Sequence, residues 1–428
     1  MKKTILSATL AVVFLLPLSV NAKQKIAGSK AASYTILYSG DAEAEEGIER
    51  AQSLQRQLSF AGSLKAATVK DFKKGRSIVF AHDAKLEPFG YAVSCQKGTL
   101  TIRGGGCWAM EKASQMVADQ LKNGDIANGF SLKGSVDGQV LFPVTPGANL
   151  RILDDNIWDY SAETIPDAWQ KIGVDCRDNV RAPQYAQLVR AYMPDVVGLQ
   201  EYNHHMHVLF YPAIQKYGYR IAYDKEGEPW DNTPIFYNSK TTELVAVNYV
   251  LYTPGQWSNV GSKSFTSAVF KQKATGKTFA YITTHLWWKS ESKQPGSDMA
   301  RASQIRLVMA EAEVLKAKYN CPVFVTGDMN CYESDPAIRQ LLEGGYVPCY
   351  KAATVATDKN NGHHICSPGE GFSRKSNRRS ADRTEGAIDH CLIYNAQNGA
   401  EIKAFKCEQS YFTLKLTDHY PNVIDAKL

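Results

Sequence analysis

Four short apolar runs beyond residue 150 each end on acids, amides or an imidazole. Arg151-Ile-Leu leads to Asp154, Asp155 and Asn156, and Asp195-Val-Val-Gly-Leu-Gln leads to Glu201. Phe279-Ala-Tyr-Ile-Thr-Thr leads to His285, and Cys321-Pro-Val-Phe-Val-Thr-Gly leads to Asp328 and Asn330. Each run has the length of a buried strand. In a sheet-based fold the carboxyl ends of such strands gather at one edge, where ligands bind. Two acid–imidazole pairs follow, Asp389-His390 after Glu385-Gly-Ala-Ile and Asp418-His419 after Leu416-Thr. One Asp or Asn after a strand is an ordinary turn former. Six such positions in order argue for a site.

The residue types indicate the chemistry. Carboxylates and carboxamides with few thiols or imidazoles make a hard oxygen site, suited to Mg²⁺ or Mn²⁺ rather than zinc. Such an ion takes phosphate oxygens as further ligands and leaves the histidines for proton transfer. Metal-assisted hydrolysis of a phosphoric ester is the natural reaction.

The ordered series "DDNIW", "DVVGLQE", "TTHLWW", "VTGDMN", "AIDHCLIY" and "LTDHYP" resembles the endonuclease/exonuclease/phosphatase superfamily over residues 150–428. That superfamily includes deoxyribonuclease I-like nucleases, neutral sphingomyelinases, inositol-polyphosphate 5-phosphatases and some sugar-phosphate phosphatases. The resemblance implies an α/β fold, a four-layer sandwich of two mainly antiparallel sheets flanked by helices. It also implies roles. Asn156, Glu201 and Asp418 would hold the metal, with Glu201 the principal carboxylate. Asp328 would orient or deprotonate the attacking water, and Asn330 would donate to a phosphate oxygen. His285 would stabilise transition-state charge, and His419, held in its tautomer by Asp389, would act as general acid or base. Whether His419 or Asp328 takes the proton is left open by the resemblance. His390 departs from the commoner apolar or aromatic residue and is read as a supporting group.

Other residues bear on the substrate. Trp287 and Trp288 start the loop after His285, either as an aromatic wall for a sugar, lipid head group or base, or as buried packing. Arg301 lies in the first turn of a helix capped by Ser297 or Asp298, where it faces a phosphate, a carboxylate or solvent. The segment Ser373 to Arg383 carries Arg374, Lys375, Arg378, Arg379 and Arg383. It is either a solvated loop or a polyanion contact. Trp230, Asp231 and Asn232 read as a turn by default, with a reach into the cleft as the alternative. His204, His205 and His207 read as surface or substrate-side groups rather than zinc ligands, because adjacent positions on a helix cannot all face one point. His363 and His364 read likewise.

The rest of the chain sets organisation. Lys2 and Lys3, an apolar stretch from Ile5 to Val20 and the small residues near Ala22 predict a signal peptide over 1–22, hence an exported, periplasmic or secreted enzyme. No integral membrane segment is expected after its removal. The formal charge is +6, and losing the two leader lysines brings it to +4, too weak to diagnose a nucleic-acid binder. Residues 23–145 predict a small α+β domain with a loose mature N-terminus over 23–33. Its strands are placed at 34–38 and 77–80, with a hairpin, 91–95 with 99–103, turned at Lys97-Gly98. Helices are placed around Ile48 to Leu58 and Ala109 to Leu121, the second behind Gly104-Gly105-Gly106. The "GTLTIRGGG" motif and the following helix resemble accessory domains of glycoside hydrolases. Phe142 to Gly147 reads as a linker to the 150–428 catalytic domain. The nine cysteines include no CxxC pair, and export permits one or two disulfides in the C-terminal half.

The expected activity is thus Mg²⁺-dependent hydrolysis of a phosphoric mono- or diester, with a lipid or sugar phosphate ester preferred. A secreted nuclease is the alternative enzyme. A carbohydrate- or surface-binding protein with a vestigial catalytic domain is the alternative of another class.

Overall fold

The computed structural model describes residues 24–39, 64–67, 75–83, 85–87, 89–137, 140–158, 177–222, 232–252, 257, 263–357, 387–408 and 416–428. The leader, the Ile48 to Leu58 helix, Trp230, Asp231, His363, His364 and the basic segment 373–383 lie outside them. The chain divides into two compact units, Met1–Asp137 and Gly138–Leu428.

In the first unit a small hairpin, β1 (Lys25–Ile26) and β2 (Ser29–Lys30), replaces the expected loose N-terminus. Ile26 is fully buried and its carbonyl accepts from the Tyr34 hydroxyl at 2.6 Å. A six-stranded sheet runs in the order β4 (Leu64–Ala67), β3 (Thr35–Ser39), β5 (Ser77–His82), β7 (Thr99–Gly104), β6 (Gly90–Gln96), β8 (Ser131–Ser135). The predicted hairpin is β6–β7, and Lys97 and Gly98 at its tip have φ of 50° and 78°, as a tight primed turn requires. A Cβ on Gly105 would meet the Glu87 carbonyl oxygen at 2.1 Å, so the glycine run permits a close backbone approach. Helix α1 (Cys107–Asn123) then buries Ala109, Ala113, Val117 and Leu121 on one face, spaced as predicted.

The second unit contains two facing sheets. One has the order β11 (Tyr219–Ile221), β12 (Ile235–Asn238), β10 (Val196–Gln200), β9 (Leu150–Asn156), β21 (Asn422–Lys427), β20 (Glu401–Cys407), β18 (Val355–Thr357). The other has β13 (Thr242–Leu251), β14 (Ser264–Gln272), β15 (Thr278–His285), β16 (Val323–Asp328), β19 (Asp389–Tyr394), β17 (Val347–Pro348). Pairing is mostly antiparallel, with parallel steps at β9/β10, β15/β16 and β18/β20.

Alternation decides the layers. Phe279, Tyr281 and Phe324 point between the sheets and meet Leu150, Ile152 and Val196. Their neighbours Ala280, Ile282, Val323 and Val325 point outward onto Ile305, Val308 and Ala312 of α4 (Ser297–Tyr319) and Ile338 and Leu341 of α5 (Pro336–Glu343). Both faces are therefore apolar, which is why these strands read as continuous runs. On the other sheet, α2 (Asp178–Tyr192) and α3 (His204–Gln215) pack together, with Phe210 edge-on to Phe236 of β12. The result is the expected four-layer sandwich. The sheets come very close at Gly198, where a Cβ would lie 2.0 Å from the Tyr281 hydroxyl oxygen.

Two expectations are corrected here. The predicted linker is built into the second unit: the Arg151 guanidinium donates to the carbonyls of Phe142 and Pro143 and pairs with Asp425, which also accepts from Thr145. The described cysteines of the C-terminal half, Cys321, Cys331, Cys349, Cys391 and Cys407, are buried free thiols rather than disulfides. Each faces apolar packing, and burial pushes the Cys321 thiol up to about 11. Among the described residues no helix is long and apolar enough to cross a membrane.

Candidate active site

Strand register assembles the centre. His285 at the end of β15 pairs with Asp328 at the end of β16, and Asp328 pairs with Asp389 at the start of β19. Directly paired residues share a face, so the three form one row across the sheet. Gly327 makes this possible: its φ is 136°, and a Cβ there would strike the Thr284 carbonyl oxygen at 2.0 Å. The other sheet supplies Asn156 from β9, with Glu201 following its β10 neighbour Gln200. Glu201 has a φ of 57°, a left-handed conformation that costs a residue with a Cβ about 1 kcal/mol.

Across the interface Asn156 Nδ2 donates to Asp328 Oδ2 at 2.9 Å. The Asn156 side-chain oxygen accepts from the Trp158 amide at 2.9 Å, so Asn156 holds Asp328 in place and its oxygen keeps a second lone pair. His285 Nε2 lies 3.4 Å from Asp328 Oδ2 and 3.6 Å from Glu201 Oε1. His419 Nδ1 is 2.7 Å from Asp389 Oδ2, which fixes the ring and leaves Nε2 3.9 Å from both Asp328 Oδ2 and Asp418 Oδ1. Glu201, His285 and Asp328 present ligand atoms within 4.8 Å of one another, as do Asp328, Asp389 and His419.

The electrostatics follow from burial and neighbours. Burial opposes the charge on Asp328. The hydrogen bond from His285 and the nearby His419 and Lys263 outweigh it and hold that carboxyl far below the usual range. Burial, then the Lys263 ammonium, pushes His285 down. Burial favours neutral His419, but Asp389, Asp418 and Asp328 raise it well above an ordinary histidine. Burial pushes Asp418 up to about 6, and its Oδ1 is buried without a hydrogen-bond partner. Below the row, Asp154 Oδ1 accepts from Gln200, Thr326, Tyr281 and Thr283, and burial raises its carboxyl to about 6. Asp155 accepts from the Tyr185 hydroxyl at 2.5 Å. These two acids stitch the layers together beneath the site.

The loop residues fall differently. Asn330 Nδ2 donates to the Leu286 carbonyl at 3.2 Å and its amide to Asp328 Oδ1 at 2.9 Å, so it ties the two strand ends. Trp287 is 2% exposed, edge-on to Trp257, with its indole N–H on Ser297 Oγ at 3.2 Å. Of its two readings burial holds, while Trp288 is 46% exposed and remains available as a wall. Arg301 is buried and donates to the carbonyls of Trp287 and Lys289 and to Asp298, so it pins this loop and does not face open cleft. Helix α4 is capped neither by Ser297 nor by Asp298. Glu291, from the preceding loop, accepts from the amides of Gly296 at 2.7 Å and Asp298 at 2.9 Å. His390 Nε2 lies 2.8 Å from the Cys331 carbonyl oxygen, a supporting contact as expected. Asn203 caps α3 by accepting from the Met206 amide, and His204 and His205 sit exposed on its first turn.

Two residues of the centre escaped the sequence. Arg181 of α2 is fully buried and donates to the carbonyls of Ile157, Trp158 and Leu416, holding the turn after Asn156 to the segment that carries Asp418 and His419. Lys263, just before β14, places its ammonium 2.5 Å from His285 Nε2. No motif marks either one. Their sequence surroundings, Asp178-Asn-Val-Arg181-Ala-Pro-Gln and Gly261-Ser-Lys263-Ser, are polar and give no signal.

No curated protein matches the chain. The structure resembles a mannosyl-6-phosphatase of Bacteroides thetaiotaomicron VPI-5482, with a TM-score of 0.50 and 19% identity over 65% of this chain and 100% of that one. It also resembles an endonuclease/exonuclease/phosphatase family protein from Bacteroides thetaiotaomicron, with a TM-score of 0.50 and 19% identity over 65% and 94% of the two chains. These are likenesses of fold. The model of the endonuclease/exonuclease/phosphatase family matches residues 176–419, more than half of the sequence, and the chain belongs to that family of phosphoesterases.

Proposed function

We propose that the protein is an exported, divalent-metal-dependent hydrolase of phosphoric mono- or diesters, with a sugar or lipid phosphate ester as its preferred class. The observation that carries this reading is the meeting of His285, Asp328 and Glu201 from both sheets beside the Asp389–His419 dyad. The donor set fits a hard ion. Glu201 and Asp328 offer carboxylate oxygens within 4.8 Å, and Asp418 adds a buried oxygen with no hydrogen-bond partner. Glu201, Asp328 and Asp418 would hold Mg²⁺ or Mn²⁺, with Asn156 orienting Asp328. The ion supplies fixed positive charge against the phosphoryl oxygens.

The chain's own groups do the rest. Asp328 accepts a hydrogen bond from the attacking water and aims its lone pair at phosphorus. His419, fixed through Nδ1 by Asp389, exchanges a proton at Nε2. His285 donates to a phosphate oxygen as charge builds. Buried Trp287 and Arg301 keep the loop after His285 shaped, and Trp288 presents an open aromatic face to a sugar or lipid head group. One neighbour in fold is a mannosyl-6-phosphatase, which makes a sugar phosphate the first ester to try. The first unit is proposed as an accessory domain, since every group of the centre comes from the second.

The test is a panel of DNA, RNA, sphingomyelin, inositol phosphates and sugar phosphates, assayed with Mg²⁺ and with Mn²⁺. Metal-dependent turnover of a sugar or lipid ester is expected, abolished by EDTA. Plasmid nicking that exceeds it would establish the nuclease reading. Inactivity on every ester would favour a binding protein with a vestigial centre. Export is tested by sequencing the N-terminus of the mature protein, with cleavage expected after Ala22; an intact Met1 on the exported form would contradict it.

A further inference from the structure

The segment 416–419 carries two groups of the centre, and one small side chain ties it there. Thr417 is 1% exposed. Its hydroxyl donates to the Asn156 carbonyl oxygen at 2.5 Å and accepts from the His419 backbone amide at 3.2 Å. The second contact, from the amide of residue i+2 back to the hydroxyl of residue i, fixes the turn between them and so the directions in which Asp418 and His419 leave the chain. The first anchors that turn to the end of β9. Arg181 joins the same two stretches through the Ile157 carbonyl at 2.6 Å and the Leu416 carbonyl at 3.0 Å. Thr417 adds the contact to the His419 amide itself. Tyr185, whose hydroxyl donates to Asp155, interacts with Thr417 as well. Contact by contact, a closed ring results. Asn156 Nδ2 donates to Asp328 Oδ2 at 2.9 Å, Thr417 links Asn156 to His419, His419 Nδ1 lies 2.7 Å from Asp389 Oδ2, and Asp389 pairs with Asp328 across β16 and β19. Within that ring His419 Nε2 stands 3.9 Å from Asp328 Oδ2, too far for a direct hydrogen bond and near enough for both to serve one oxygen between them.

We infer that Thr417 is a positioning residue that holds the His419 imidazole against Asp328 for proton transfer. The inference rests on the proposed phosphoric-ester hydrolysis and deepens it, because it gives the alignment of the acid–base group to a hydroxyl outside the set of acids, amides and imidazoles. Thr417 touches no reacting atom and moves no proton of the reaction. His419 has to bring Nε2 within hydrogen-bond reach of the proton that it exchanges. Asp389 fixes the ring through Nδ1, and a change of backbone at His419 would swing Nε2 about that contact. Displacement of a reacting group by about 1 Å costs about 10²-fold in rate. Thr417 removes that freedom at its source. The amide that it holds belongs to His419, and the carbonyl that it holds belongs to the residue that orients Asp328. The cost of losing the hydroxyl falls on kcat, because the groups that would bind the ester, His285 and Trp288, come from β15 and the loop after it. Valine has nearly the shape of threonine and can make neither side-chain hydrogen bond, whereas serine can make both.

The experiment compares the whole mature protein with Thr417→Val and Thr417→Ser. It measures kcat and KM with Mg²⁺ on p-nitrophenyl phosphate or bis(p-nitrophenyl) phosphate, whichever the wild type hydrolyses, and follows the low-field NMR line of the His419 Nδ1 proton. Thr417→Val should lower kcat about 10- to 100-fold with KM within about threefold of wild type, and should shift the NMR line. Thr417→Ser should keep kcat within about threefold and leave the line in place. A folded Thr417→Val protein with the kcat of the wild type would overturn the inference. So would equal losses in the two variants, which would assign the effect to the methyl group, or a loss confined to KM. Should Thr417→Val fail to fold, Thr417→Ala serves the same comparison. Should the wild type hydrolyse neither ester with any metal, the hydrolase reading fails by itself, and the NMR line still decides the role of Thr417: a line shifted in Thr417→Val and kept in Thr417→Ser supports it, and a line unmoved in Thr417→Val overturns it.

Discussion

Two of the places where the sandwich of the second unit buries charge are built on opposite principles. The Arg151–Asp425 pair is matched. The guanidinium meets Asp425 through Nε at 2.6 Å and Nη2 at 2.8 Å, donates to the carbonyls of Phe142, Pro143 and Tyr192, and leaves Asp425 to accept from Thr145 as well. Around Asp328, acids outnumber bases. Glu201, Asp328, Asp389 and Asp418 face His285, His419 and Lys263, and a buried oxygen of Asp418 has no hydrogen-bond partner. A matched buried pair serves the fold. A centre with surplus carboxylate is costly to the fold and has a use only when a cation and an anionic substrate enter.

That contrast can be broken by mutation. His419→Ala should lower kcat/KM by about 10²–10⁴-fold on any accepted ester, the usual contribution of a general acid or base. Its melting temperature should move less than that of Arg151→Met, because burial already raises the Asp389 carboxyl to about 8 and that of Asp418 to about 6, so both can take up protons once the imidazole is gone. A loss of folding instead would place His419 among the structural charges. Arg151→Met should do the reverse. Leaving Asp425 buried and unpaired costs about 3–5 kcal/mol, read by urea unfolding, while kcat/KM of the folded protein stays within about threefold.

Acid sharpens the comparison. Burial raises the Asp425 carboxyl, but its hydrogen bonds and charge contact with Arg151 win and hold it below the ordinary carboxylate range. A depressed carboxylate stabilises the fold fully above its unfolded pKa of about 3.9, and that contribution is lost as pH falls toward the folded value. The stability gap between wild type and Asp425→Asn should therefore be full at pH 6 and shrink below about pH 4. A gap that stays constant down to pH 3 would show that the carboxylate charge is not what stabilises. The smallest expected effect belongs to Trp288→Ala. KM for a sugar or lipid phosphate should rise about fivefold, roughly 1 kcal/mol of ring contact, with little change for p-nitrophenyl phosphate. Equal losses on both substrates would remove Trp288 from the substrate wall.

Much of this was legible in the sequence because burial on both faces leaves a plain mark. The stretches 152–153, 196–199, 279–282 and 322–325 are apolar, so the polar residues that end them stand out, and parallel or antiparallel register then carries His285, Asp328 and Asp389 into one row. The surroundings were less legible, for physical reasons. Trp287 and Trp288 are neighbours in sequence but face opposite ways, one under α4 and one into solvent, and adjacency alone does not say which is which. Arg301 at a helix start looked like a phosphate contact until the loop carbonyls that it holds were seen. The proline-rich segment at 142–147 has the composition of a linker, yet the partner that fixes it, Asp425, is remote in the chain. Lys263 and Arg181 matter only through contacts made across the fold, and such contacts leave no local pattern.

The central claim is that the surplus carboxylates form a divalent-cation site. Calorimetric titration of the mature protein with Mn²⁺, beside Glu201→Gln, tests it most directly. The account predicts saturable binding to the wild type that weakens at least about tenfold in Glu201→Gln, with hydrolysis falling in parallel. Equal Mn²⁺ binding by the two proteins, or turnover that survives EDTA, would contradict it.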